Sequence, residues 1–358
     1  MNNRYIVGGA MLPHAPQFFT LPESEDKQTV QRVRDVAAKI GQELEALKPD
    51  LWIMIANDHA QQFFHQCAPP FTLHVGERAT GEFAGRTFDY AVSSEISFEL
   101  VRELYKAGFD PAFTSTAEID YALGIPLTHL GVKAPVLPIY VNAYLPPQPT
   151  IERCYAFGVA LANAVSKLGL RTVIIASGGM SHFPGTDRYS EPNLDFDNQV
   201  LDQLRTGNLK ALIGYNETQL DDTGNIELRC WAIAAGALGE RVPDVLQMDP
   251  SWHHNYASLG FYSPAPAPAR PHYPNIEPAL AELTRALHGL AYDEANQKQF
   301  VADADSYLAR FNLSTEHREA LLAMDQLRFA EMGLHPLIGF LANMNIQRLK
   351  PASRGGQS

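Results

Sequence analysis

The segment LWIMIA, residues 51–56, is apolar at every position. A strand with one face in water alternates apolar and polar side chains, whereas a strand covered on both faces reads as an unbroken apolar run. This segment therefore calls for a sheet with layers packed on each side. Other short β-rich runs, YIVGGAML (5–12), APVLPIYV (134–141) and TVIIAS (172–177), are separated by stretches of helical periodicity. The latter include EDKQTVQRVRDVAAKIGQELEAL (25–47), EISFELVRELYKAG (95–108) and ERCYAFGVALANAVSKLG (152–169). The alternation predicts an α/β fold, a central mainly β-sheet core flanked by helices. No period of 20–50 residues marks a repeat protein.

At residue 264 the pattern breaks. PAPAPARPHYP cannot form a helix or a central strand and reads as a semi-rigid linker. The segments beyond it, such as EPALAELTRALHGLAYD, QKQFVADADSYLARFN, STEHREALLAMDQLRFAEMG and HPLIGFLANMNIQ, are all helical in pattern. Ser314, with Glu316 close behind, is a helix start. The expected organisation is a catalytic domain over 1–263, a linker over 264–275 and a small all-α domain over 276–350.

Of the 358 residues, 46% are hydrophobic and 19% charged, with a formal net charge of −12. That balance disfavours nucleic acid or an anionic membrane as partner, and no apolar run approaches the length of a membrane span. The first residues show neither the basic start nor the cleavage site of a signal peptide. Cys67, Cys154 and Cys230 are widely spaced, which argues against a cysteine zinc site and fits a reduced, cytoplasmic protein.

Three histidines share one context. His14 follows YIVGGAML in MLPHAPQ, His59 follows LWIMIA in ANDHAQQFF, and His182 follows TVIIAS in GGMSHFPG. Ligands of α/β sheets bind beyond the carboxyl ends of the strands, where three such imidazoles would converge. Imidazole suits Zn, Fe, Cu or Ni, and two histidines with one carboxylate form the facial set of non-haem Fe(II) oxygenases. Glu227, at the start of the apolar helix in GNIELRCWAIAAGAL, is the candidate carboxylate, although helix N-termini also attract acids for dipole reasons. One of the adjacent His253 and His254 is a further pocket candidate, while His129 reads as structural.

MLPHAPQ, ANDHAQQFF, SGGMSHFPGT and GNIELRCWAIAAGAL, in this order and spacing, resemble the class III extradiol dioxygenases of the protocatechuate 4,5-dioxygenase β type. The C-terminal helices look like the family's small α subunit, fused here in a layout similar to gallate dioxygenase. The resemblance implies His14, His59 and Glu227 as Fe(2+) ligands and His182 as the acid–base histidine. It also implies a catechol-type substrate, with O2 as co-substrate, and a homodimer. Imidazole titrates nearest neutrality of all side chains, which suits the role given to His182.

The chain departs from the family at EIDYALGIPL, where Tyr121 stands in place of a second active-site histidine. A phenol donates a hydrogen bond but is a poor base at neutral pH, which turns the expected substrate toward an aminophenol, a dihydroxypyridine or another substituted catechol. The resemblance also implies Ser258, Tyr256 or Asn255 in SWHHNYASLGFY as substrate contacts, and His335 in MGLHPLIGF with its neighbour Leu334. Two other readings stay open at this stage: a non-catalytic relative that binds a ligand or protein in the cleft, and a zinc hydrolase using the same donors.

Overall fold

The computed structural model describes residues 5–265 and 272–350. The chain divides into two compact units, Met1–Ala267 and Pro268–Ser358. Much of the expected linker lies outside the described residues.

The strands of the first unit are β1 (Ile6–Leu12), β2 (Leu51–Asn57), β3 (Phe71–His74), β4 (Arg78–Phe83) and β5 (Arg86–Ala91). They continue as β6 (Ala112–Thr114), β7 (Val136–Val141), β8 (Thr172–Ser177), β9 (Val245–Pro250) and β10 (Asn255–Phe261). Between them run α1 (Gln17–Thr20), α2 (Lys27–Ala46), α3 (Ser94–Lys106) and α4 (Tyr121–Leu130). The set is completed by α5 (Ile151–Leu168), α6 (Leu194–Arg205), α7 (Glu217–Asp222) and α8 (Leu228–Leu238).

Eight strands form one sheet in the order β6-β3-β7-β2-β8-β1-β10-β9, and β4 and β5 make a separate hairpin. The centre is parallel: β2 pairs with β7 and β8, and β8 with β1. Antiparallel β10 joins at β1. The apolar run in β2 is explained by its position. Ile53 and Ile55 point into a core shared with α3, α5 and α8, while Trp52, Met54 and Ala56 point into the opposite core under α2 and α4. All five are buried, so β2 has no polar side to show. Close packing on the second face depends on Gly41 of α2, where a Cβ would meet the Leu130 carbonyl at 2.0 Å.

The second unit is helical: α9 (Ala281–Tyr292), α10 (Glu294–Ala302), α11 (Ala304–Leu308), α12 (Thr315–Ala323), α13 (Gln326–Met332) and α14 (Pro336–Leu349). It has its own core, with Leu283, Leu287, Phe300, Tyr307 and Ile346 buried. Ser314 caps α12 by accepting from the His317 amide, as its position predicts. Two of the expected long helices are broken. Asp303 caps a new start at α11, and Met324 adopts a left-handed φ of 48° before Asp325 caps α13.

Candidate metal centre

Because β1, β2, β7 and β8 are parallel, their carboxyl ends open on one sheet edge, and antiparallel β10 begins there. The residues just beyond these ends meet: His14 after β1, His59 after β2, Tyr144 after β7 and His182 after β8, with His253 and His254 leading into β10. Parts of each line one cavity of about 270 Å³, together with Tyr121.

At its floor His14 Nε2 and His59 Nε2 face each other at 3.3 Å. Glu227 Oε1 lies 3.3 Å from the first and 3.7 Å from the second. These three donor atoms fall within 4.8 Å of one another and could hold a metal ion. The donor set, two imidazole nitrogens and one carboxylate, fits a first-row divalent cation.

Each donor is held from behind. His14 Nδ1 lies 2.8 Å from Ser177 Oγ, which itself donates to the Ala122 carbonyl at 2.5 Å. The serine proton is thereby committed, so Nδ1–H is the donor and Nε2 keeps its lone pair for the centre. His59 Nδ1 is 3.1 Å from Asp120 Oδ2, while Asp120 Oδ1 caps α4 at the Ala122 amide. The acid of the NDH motif, Asp58, accepts from the amides of Gln61, Gln62 and Phe63 and so shapes the turn that presents His59. Glu227 sits at the N-cap of α8 without capping it. Its Oε2 accepts from the Gly179 amide at 2.7 Å, which turns Oε1 to the histidines. Complete burial pushes its carboxyl upward, but His14, His182 and His59 together overcome this and hold it well below the usual carboxylate range. It is an anion in a ring of imidazoles.

His182 Nδ1 lies 2.9 Å from the Met180 carbonyl, so Nδ1 carries the proton and Nε2 is a free base. Tyr144 OH is 3.3 Å from that Nε2 and 3.1 Å from Glu227 Oε1. Burial, followed by Glu227, raises the Tyr144 phenol well above its ordinary range. Tyr121 stacks on His59 with centroids 4.4 Å apart. Burial and then Asp120 and Glu227 hold its phenol above the ordinary range too, so both tyrosines serve as hydrogen-bond donors.

Asp197 of α6 ties the parts together. Wholly buried, it accepts from Ser181 Oγ at 2.6 Å, Asn225 Nδ2 at 3.0 Å and Asn255 Nδ2 at 2.9 Å. Ser181 and Asn255 adjoin His182 and His254 in the chain, and Asn225 lies two residues before Glu227.

The structure therefore brings His14, His59, Glu227, His182 and Tyr121 into one place. It takes three of the other expected substrate contacts elsewhere. Asn255 is engaged by Asp197, Tyr256 OH lies 3.5 Å from Glu25 Oε2, and Ser258 is buried along β10. The reason is direction: β10 starts at this edge and runs away from it, so the residues before the strand reach the cavity. His335 belongs to the helical unit, where it caps α14 and stacks on Tyr273 at 5.1 Å. Sequence reasoning missed Tyr144, although it follows a strand end just as the histidines do.

A sheet of this kind carrying a two-histidine, one-carboxylate cluster at its carboxyl edge defines an α/β protein with a candidate metal centre. Residues 8–258 match the family described as the catalytic LigB subunit of aromatic ring-opening dioxygenase. The chain belongs to that family, as the sequence resemblance implied. It is 30% identical over 194 residues to a 2,3-dihydroxyphenylpropionate/2,3-dihydroxicinnamic acid 1,2-dioxygenase of Klebsiella pneumoniae, covering 53% of this chain and 61% of the relative. It is 29% identical over 178 residues to the protein of the same name from Escherichia coli, covering 49% and 57%. The chain thus spans about 60% of the length of the curated relatives it matches. A solved structure of an uncharacterized Escherichia coli K12 protein superposes with a TM-score of 0.48 at 14% identity, covering 71% of this chain and 99% of the other. Among the described residues no helix is long and apolar enough to cross a membrane.

Proposed function

We propose that the protein is an Fe(II)-dependent extradiol dioxygenase, which inserts both atoms of O2 into a catechol-type ring beside its diol and opens the ring. The observation that carries this reading is the meeting of His14 Nε2, His59 Nε2 and Glu227 Oε1 within 3.3–3.7 Å, in a cavity that His182 also lines. A three-residue set leaves coordination places free, and iron bound there would hold the diol and dioxygen side by side, turning an encounter into a positioned reaction.

The protein's own groups do the rest. His182 Nε2 takes a proton from a diol hydroxyl as the substrate binds and returns it to an oxygen of the opening ring. Its Met180 contact keeps the ring in the tautomer that can do so. Tyr144, whose hydroxyl proton goes to Glu227 Oε1, lies 3.3 Å from His182 Nε2. Tyr121, flat against His59, offers a hydroxyl proton to substrate oxygen and cannot act as a base at neutral pH. In this reading residues 276–350 are the counterpart of the family's small helical subunit, and the assembly is a cytoplasmic homodimer.

Anaerobic loading with Fe(II) should give O2 uptake with catechol and a ring-opened product by mass spectrometry. His59→Ala should abolish uptake and lower bound iron. Uptake that survives this substitution rules the assignment out, and tight zinc with hydrolysis in place of O2 uptake would identify a zinc hydrolase.

A further inference from the structure

One wall of the cavity carries an acid–imidazole pair with no role in the reaction so far described. Glu25, in the loop before α2, places Oε1 at 2.6 Å from His253 Nε2. Both residues are buried, and His253 lines the cavity. Tyr256 OH closes the group at 3.3 Å from the same nitrogen. The His253 ring packs against Trp252, with centroids 4.5 Å apart, and against Tyr189, 5.3 Å away. Such a fixed ring has a defined tautomer. Nε2 donates its hydrogen bond to the Glu25 carboxylate, which leaves Nδ1 as the ring's acceptor in a residue that lines the cavity.

The charges around the cavity point the same way. Among the described residues no lysine or arginine lines it. Arg188, beside lining residue Tyr189, is turned aside: its guanidinium lies 4.0 Å over the Phe183 ring and donates to the Asp222 carbonyl at 2.8 Å. A substrate carboxylate brought to this wall would meet a lone pair backed by the Glu25 anion, with no cation to offset its desolvation. A hydroxyl or amino N–H would meet an acceptor.

Resting on the ring-cleavage reading above, we propose that His253, oriented by Glu25, is a specificity residue that accepts a hydrogen bond from an uncharged donor substituent. The substrate class is then a diol ring bearing a third hydroxyl or an amino group, in preference to one bearing a carboxylate. Burial holds the His253 imidazole below its ordinary range despite Glu25, in keeping with a neutral ring.

The test is anaerobic calorimetry on the full-length Fe(II)-loaded protein with catechol, 1,2,3-trihydroxybenzene and 2,3-dihydroxybenzoate. The trihydroxy compound should bind about tenfold more tightly than catechol, the size of one net hydrogen bond, and the benzoate at least about tenfold more weakly than the trihydroxy compound. His253→Phe should cost the trihydroxy compound about tenfold more affinity than it costs catechol. The inference falls if the benzoate binds tightest, or if His253→Phe weakens all three equally. The wild-type ranking decides even if that variant does not fold. Failure of every diol to bind would instead overturn the ring-cleavage reading, and this inference with it.

Discussion

The imidazoles of His182 and His254 lie stacked, with centroids 4.2 Å apart and planes within 13° of each other. His254 is buried, and its Nε2 has no hydrogen-bond partner among the described residues. It packs so closely on the strand-end loop that a Cβ at Gly179 would meet that nitrogen at 1.8 Å. The same glycine gives its amide to Glu227. One ring thus sets the tilt of His182 and packs against the backbone that reaches the Glu227 carboxylate.

His254→Phe keeps a flat ring and is expected to retain most activity. His254→Ala should lower kcat by roughly 10–100-fold through misplacement of His182, and stability by roughly 3 kcal/mol through the cavity left behind. KM should move far less than kcat. A phenylalanine variant as poor as the alanine one would mean that the ring nitrogens of His254 matter and the stack does not.

Asp120 links helix and metal centre, since one oxygen caps α4 and the other holds His59. Asp120→Ala should weaken divalent-metal affinity by roughly 10–100-fold and cost about 1 kcal/mol of stability as a lost cap. Competition against a chromophoric chelator measures the first and urea unfolding the second. Unchanged metal affinity would show that His59 is held by its turn alone.

Asp197→Ala would leave the buried donors of Ser181, Asn225 and Asn255 facing an apolar gap. Each orphaned donor costs on the order of 1–3 kcal/mol, so a total loss of at least about 3 kcal/mol is expected, visible in the urea midpoint. The loops bearing His182 and Glu227 lose their shared tie, and metal affinity should fall although no ligand is altered. A variant as stable as wild type would show that water replaces the carboxylate.

The strand-end histidines were legible because two local signals coincide: an unbroken apolar run says where a strand stops, and the next polar residue falls at the sheet's carboxyl edge. The same logic applied to APVLPIYV reaches Tyr144, but a tyrosine past a strand end is a weaker signal than a histidine because it is not a common metal ligand. Glu25 offered no such signal, being 228 positions from its partner His253 in a loop with several other acids. Asn255, Tyr256 and Ser258 were expected at the substrate from the resemblance alone; a local sequence does not tell that β10 is antiparallel and runs away from the cavity edge. The breaks at Asp303 and Met324 escaped for a related reason: apolar periodicity carries across a short turn, and caps are local.

His129, read as structural, gives the clearest dependence on pH. Its ring lies 5.7 Å from both Phe18 and Phe19, and its Nε2 is buried with no partner among the described residues. Burial, then the guanidiniums of Arg34 and Arg86, push its pKa down to about 3. In the unfolded chain an ordinary histidine titrates near 6.5. Between those values the unfolded state binds a proton that the folded state refuses, so folding stability is complete above about pH 6.5 and is lost as pH falls toward 3. The slope from this one group is at most about 1.4 kcal/mol per pH unit. His129→Gln removes the titration, and the difference in unfolding free energy between variant and wild type should shift in the variant's favour from pH 7 to pH 4.5. Parallel pH profiles for the two proteins would show that the ring takes up its proton in the folded state as readily as in the unfolded one.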